Sequence, residues 1–66
     1  MRLTETAKLW GNSYRKRYYL DGARISESYA SIVFDDHHHE EIGYERIQSG
    51  WRTSWNIGPR VKGNTE

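Results

Sequence analysis

The pair Asp21-Gly22 sits among β-prone residues in the stretch RKRYYLDGARIS, residues 15–26. An Asp-Gly pair in that setting is the strongest short hairpin signal a sequence carries, because a type I′ turn needs positive φ at both central residues. A two-residue turn fixes the register. Leu20 faces Ala23, Tyr19 faces Arg24 and Tyr18 faces Ile25, and the pairing continues through Arg17–Ser26, Lys16–Glu27 and Arg15–Ser28 to Tyr14–Tyr29. Side chains alternate between faces along a strand. One face therefore collects Tyr14, Tyr18, Leu20, Ala23, Ile25 and Tyr29, with Lys16 and Glu27 as an opposite-charge pair. The other collects Arg15, Arg17, Tyr19 and Arg24.

Gly11-Asn12 marks a second two-residue turn. Its register sets Leu9 against Tyr14, Ala7 against Lys16, Glu5 against Tyr18 and Leu3 against Leu20, all on the face already apolar. Thr4, Thr6, Lys8 and Trp10 join the basic face. Two turns chosen independently agree on one buried side, the consistency expected of a foldable sequence. A helix-turn-helix over the same residues, capped at Thr4 and stopped at Gly11, is disfavoured by its short, tyrosine-rich second helix.

Ser49-Gly50 is the third turn expected. It pairs Gln48 with Trp51, Arg46 with Thr53, Tyr44 with Trp55 and Ile42 with Ile57, whereas a three-residue loop would oppose Arg46 to Arg52. Like charges placed opposite each other are destabilising.

The middle, residues 26–41, admits two readings. As a strand running from 23 to 34 it needs a bulge or bend near Ser28–Ala30, because the apolar parity shifts from Ala23 and Ile25 to Ala30, Ile32 and Phe34. As a helix over about 27–38, Ser26 or Ser28 caps it and Tyr29, Ile32 and Val33 share a face. Its residues are weak helix formers, however, and the acidic run crowds the carbonyl end. The bent strand is favoured.

The expected fold class is all-β: a small five-stranded antiparallel meander, strongly twisted or barrel-like, with strands near 2–10, 13–20, 23–34, 42–48 and 51–57. The alternative is α+β, with the short helix between two hairpins. Residues 1–58 make a single small domain, and Gly58-Pro59 opens a polar C-terminal tail, 59–66.

Composition restricts function. A chain of 66 residues buries only about 60% of its unfolded surface, and a substrate pocket of several hundred Å³ is hard to enclose in it. There is no phosphate loop, no Gly-x-Ser-x-Gly and no His-Glu-x-x-His, so neither an enzyme nor a cofactor is expected. The lack of cysteine excludes disulfides and thiolate metal sites and fits a reducing, cytoplasmic compartment. Ile32-Val33-Phe34, the longest apolar run, is too short for a membrane span. His37-His38-His39, between Asp35-Asp36 and Glu40-Glu41, reads as a solvated loop rather than a metal site. Consecutive residues of an extended chain point to opposite sides, and zinc draws ligands from separated elements.

Net charge is +1, but it is unevenly distributed: residues 1–34 carry six basic and three acidic groups, 35–45 five acidic and no Lys or Arg, and 46–66 four basic and one acidic. Segregated charge points to an oriented partner. Lys8 lies opposite Arg15 beside Arg17 and Arg24, a repulsive cluster that a polyanion would relieve, and the rings of Trp10 and Tyr19 on the same face suit base stacking. The plainer counterpart is a solvated face whose charge discourages aggregation.

The expected function is a small non-enzymatic nucleic-acid-binding protein, its site made of Lys8, Trp10, Arg15, Arg17, Tyr19 and Arg24 and its ligand DNA or RNA, single strand or duplex. The alternative is a protein-binding inhibitor or adaptor of phage-like, mobile-element type. It would meet an intracellular protein through Asp35, Asp36, Glu40, Glu41, Trp51 and Arg52, with Trp51 at the surface while Tyr44 and Trp55 enter the core. Edge strands also offer a route to a homodimer.

Overall fold

The computed structural model describes residues 1–61. The chain runs β1 (Arg2–Trp10), β2 (Ser13–Leu20), β3 (Ala23–Ile25), α1 (Glu27–Asp36), β4 (His37–Ile47) and β5 (Gly50–Arg60). All five strands form one antiparallel sheet in the order β3-β2-β1-β5-β4, open rather than closed into a barrel, and α1 packs on one side of it.

Both N-terminal hairpins take the registers their turns predict, Leu3–Leu20 through Leu9–Tyr14 in one and Leu20–Ala23 through Tyr18–Ile25 in the other. Asp21 and Gly22 have φ of 50° and 89°, the signs of a type I′ turn, and Gly11 opens its turn at 64°. A Cβ at Gly22 would meet nothing within 4 Å, so a substitution there tests conformation alone. Gly22→Val should cost about 1–2 kcal/mol, the penalty of a left-handed residue, at roughly 4–8 °C of Tm per kcal/mol. An unchanged thermal melt would contradict the turn.

The bent strand expected at 23–34 is corrected to a helix. Pairing between β2 and β3 stops at Tyr18–Ile25, so the expected pairs from Arg17–Ser26 to Tyr14–Tyr29, Lys16–Glu27 among them, do not form. Ser26 caps the helix, its hydroxyl accepting from the Tyr29 N–H at 3.1 Å. Ala30, Val33 and Phe34, spaced i, i+3, i+4, settle on Leu3, Tyr18, Leu20, Ile25, Trp55 and Ile57. Burial of that stripe outweighs weak propensity, as tertiary packing commonly does. The inward face is rotated from the expected one, leaving Tyr29 and Ile32 exposed. The acidic carbonyl end finds partners: the His37 N–H donates to Val33 O, the Val61 N–H donates to Asp36 O at 2.7 Å, and the Arg60 guanidinium lies 3.6 Å from the Asp36 carboxylate.

The C-terminal hairpin turns one residue earlier than expected, at Gln48-Ser49, so Arg46 pairs with Trp51, Glu45 with Arg52 and Tyr44 with Thr53. Two effects select this register. Glu45 and Arg52 form an ion pair at 2.9 Å. Gly50 enters β5 where β1 leaves no room for a side chain: a Cβ there would overlap the Ala7 carbonyl oxygen and lie 2.9 Å from Lys8 Cα. Ser49 takes φ of 65°, and its carbonyl accepts from the Leu9 N–H at 2.7 Å.

A bulge between Glu41 and Gly43 displaces the expected Ile42–Ile57 pair, and His39 faces Ile57 instead. The histidine run is thus the start of β4 rather than a loop, and the strand expected at 42–48 begins five residues earlier. β5 likewise continues through Gly58-Pro59 to Arg60, opposite His37; the register shift there accommodates a residue without an N–H. Of the tail expected at 59–66, residues 62–66 lie outside the described residues.

Leu3, fully buried, centres the core with Tyr18, Ala30, Val33 and Ile57. The Tyr18 hydroxyl donates to Glu5 Oε2 at 2.8 Å, and Lys16, rather than meeting Glu27, lies 3.9 Å from the same oxygen. Burial, then that hydrogen bond, then the charges of Glu5 and Glu27 push the Tyr18 phenol up from 10.0 to about 12. A folded pKa above the unfolded one gives stability that is whole below pH 10 and lost as pH rises toward 12. Denaturant midpoints should therefore fall over that window in the wild type and fall less in Tyr18→Phe; parallel profiles would contradict the assignment.

Candidate functional site

The side of the sheet opposite α1 has no covering element among the described residues, so what it displays follows from register. Residues directly opposite one another share a face. One row across the sheet reads Arg24, Tyr19, Thr4, Ser54 and Gly43; the next reads Arg17, Thr6, Arg52 and Glu45; a third holds Arg15, Lys8 and Gly50. The middle of this face is low, built of Thr4, Thr6, Ser54 and two glycines. Long cationic and aromatic side chains stand around it.

A groove of about 280 Å³ opens there, lined by Thr6, Lys8, Trp10, Arg15, Arg17 and Tyr19. Five of the six residues expected from sequence are thereby brought together. Arg24 shares the face but stands on β3, opposite Tyr19 and outside the lining. Lys8, Arg15, Arg17 and Arg24 have no carboxylate within ion-pair distance among the described residues. Lys8 does face Arg15, whose guanidinium lies over the Trp10 ring, 4.6 Å from its centroid. Such a contact is worth about 0.5–1 kcal/mol at an exposed site. Trp10 is 63% exposed, so its other surface stays available.

A second hollow, about 480 Å³, lies further along the same side between Arg2, Thr4, Ile42, Gly43, Tyr44, Glu45, Arg52 and Ser54. Sequence parity placed Thr4 and Thr6 on this face. It could not supply the far wall, because β1 pairs with β5 across some fifty residues and no local signal announces such a pairing.

The residues of the protein-binding alternative are not brought together. Trp51 and Arg52 are neighbours on β5 and point to opposite sides. Arg52 meets Glu45 on the open face, whereas the Trp51 ring lies tilted against Tyr14 on the helix side, centroids 5.0 Å apart. Glu40 and Glu41 divide likewise, opposite Asn56 and Trp55, and Asp35 and Asp36 end the helix. Tyr44, expected in the core, is instead 60% exposed and borders the second hollow; Trp55 does pack inward, edge-on to Phe34 at 4.8 Å.

The His37 ring nitrogen Nδ1 lies 3.2 Å from Val33 O, and the His39 ring meets Phe34 edge-on at 4.7 Å. Among the described residues no three His, Asp or Glu side chains are grouped to hold a metal ion, and no helix is long and apolar enough to cross a membrane. Compared with family models, curated proteins and solved structures, the chain matches none.

Proposed function

We propose that this chain is a small, non-enzymatic nucleic-acid-binding protein that works in a reducing cytoplasm and binds on the open side of its sheet. One observation carries the proposal: Lys8, Arg15 and Arg17 line a single groove with Trp10 and Tyr19, on a sheet surface that no other element covers among the described residues. A solvated sheet face ordinarily needs only polar residues. This one concentrates a single sign of charge on β1 and β2 and interleaves it with rings. Lys8, Arg15 and Arg17 would meet phosphates, with Arg24 extending the positive field outward, and Tyr19 and Trp10 would stack on bases.

Fluorescence anisotropy with labelled oligonucleotides tests this directly. Association should weaken between about 50 and 200 mM salt with a log–log slope of roughly −2 to −3, as expected for three or four phosphate contacts on a single strand. Tyr19→Ala should remove about 1–3 kcal/mol on single strands and little on duplex. If the wild-type protein does not associate with DNA or RNA at low salt, the proposal is wrong and the inhibitor or adaptor reading takes precedence.

A further inference from the structure

We infer that the ligand of the open face is a single strand whose path continues beyond the first groove, over β1 at Thr4 and Thr6, into the second hollow, where Arg2 and Arg52 hold its phosphates. The inference rests on the nucleic-acid reading above and deepens it.

Width decides between single strand and duplex. A two-stranded ribbon fits a duplex major groove of about 12 Å. Here β1 is no free ribbon, since it pairs with β2 on one side and with β5 along Arg2–Lys8 on the other. From β2 across β1 and β5 to β4 there are three interstrand spacings of about 4.8 Å, or roughly 14 Å before any side chain is added. That face is too broad to enter the groove, yet it suits an unpaired strand laid on it with its bases against the rings.

Continuity decides the path. Thr6 lines the first groove and Thr4 the second, two positions apart on β1. Tyr19 stands directly opposite Thr4, and Arg52 directly opposite Thr6, so each hollow is walled by residues that flank the other's floor. Between Trp10 and Arg2 lie eight steps of strand, about 26 Å. Only short hydroxyl side chains occupy the crossing.

The donors decide the ligand chemistry. Arg2 has no carboxylate within ion-pair distance among the described residues. Arg52 gives one guanidinium nitrogen to Glu45 at 2.9 Å, and its side chain stays 43% exposed, so a five-donor head with one carboxylate partner among the described residues faces the hollow. A guanidinium with a donor left over, at the wall of a hollow that continues a cationic groove, calls for an oxygen acceptor. Among the described residues Glu45 is the one acid lining either hollow, and it competes for that guanidinium.

The test is a ladder of unstructured deoxy- and ribo-oligonucleotides from about 4 to about 16 nucleotides, titrated alongside a duplex of matching length. Affinity should climb with length and then level off once both hollows are filled, in at least one of the two ladders, and the duplex should bind at least tenfold more weakly. Arg2→Ala and Arg52→Ala should each weaken the longer strands severalfold, lower their salt slope by about 0.7, and leave the shortest strand unchanged. Glu45→Gln should act in the opposite direction and tighten the longer strands, an outcome that misfolding would not produce. If Arg17→Ala weakens binding while the Arg2, Arg52 and Glu45 variants match wild type at every length, the extended path is wrong and the nucleic-acid reading stands. Duplex bound as tightly as single strand overturns the strand selectivity. Absence of binding at all lengths removes the inference together with the reading beneath it.

Discussion

Gly50→Ala is expected to abolish the cooperative melt. The added methyl would overlap the Ala7 carbonyl oxygen and sit 2.8 Å from Ala7 C and 2.9 Å from Lys8 Cα. These are backbone atoms of the central strand, so no rotamer change relieves the overlap; β1 and β5 must part. The β1–β5 ladder joins the first hairpins to the last, and a core of this size supplies no more than roughly 3–5 kcal/mol. Separating those strands costs about as much as the fold holds. Gly43→Ala is the matched control, because its Cβ would meet only Ser54 Cβ at 4.0 Å, an ordinary contact. It should stay within about 0.5 kcal/mol of wild type. A Gly50→Ala protein that melts a few degrees from wild type by circular dichroism would show that β1 and β5 are not paired in this register.

The second large effect concerns binding with folding held constant. The double variant Arg15→Glu, Arg17→Glu should lose roughly a hundredfold in affinity for oligonucleotides, since each charge-assisted hydrogen bond to phosphate is worth about 1.5 kcal/mol or more. Its salt slope should fall by about two contacts' worth. Stability should barely move. The contact of Arg15 with Trp10 is lost, but the carboxylate introduced at position 15 would then face Lys8 as an attractive cross-strand pair of about 0.2–1 kcal/mol. Melting temperature and affinity are thus predicted to separate. Binding that stays within about twofold of wild type would exclude this face as the site.

What could be read from the residues was what local chemistry decides. Asp21-Gly22 and Gly11-Asn12 need particular φ values, and each fixes a hairpin whose alternation sorts Lys8, Trp10, Arg15, Arg17 and Tyr19 from Leu3, Ala7, Tyr18 and Leu20. Two kinds of information were missing. The turn at Gln48-Ser49 is set partly by the Glu45–Arg52 pair within its hairpin and partly from outside, by the passage of Ala7 and Lys8 beside Gly50, and the sequence around 48–50 says nothing of that neighbour. The helix at Glu27–Asp36 is likewise set by the apolar surface waiting beneath it rather than by its own weak propensities. Thr6 and Thr4 were assigned to the correct face, yet their place on the floor of a shared trough depended on β5, and so did Arg2 and Arg52 as its far wall.

The position of β1 at the centre of the sheet carries a consequence for synthesis. Its second edge is completed only by β5, whose partners for Arg2 through Lys8 are Gly50 through Asn56. At about 5–20 residues per second, a ribosome leaves the first hairpins waiting for several seconds with that edge unsatisfied. During that interval the nascent chain carries a cationic, aromatic ribbon with an open flank, and the wide trough does not yet exist. The second hollow, and with it the wide trough proposed to carry the longer strands, is therefore completed late, when β5 arrives. A ribosome-arrest series should show the gain in affinity for longer oligonucleotides appear abruptly once residues beyond about 56 have cleared the exit tunnel, above whatever short-strand binding the β1–β2 groove already gives.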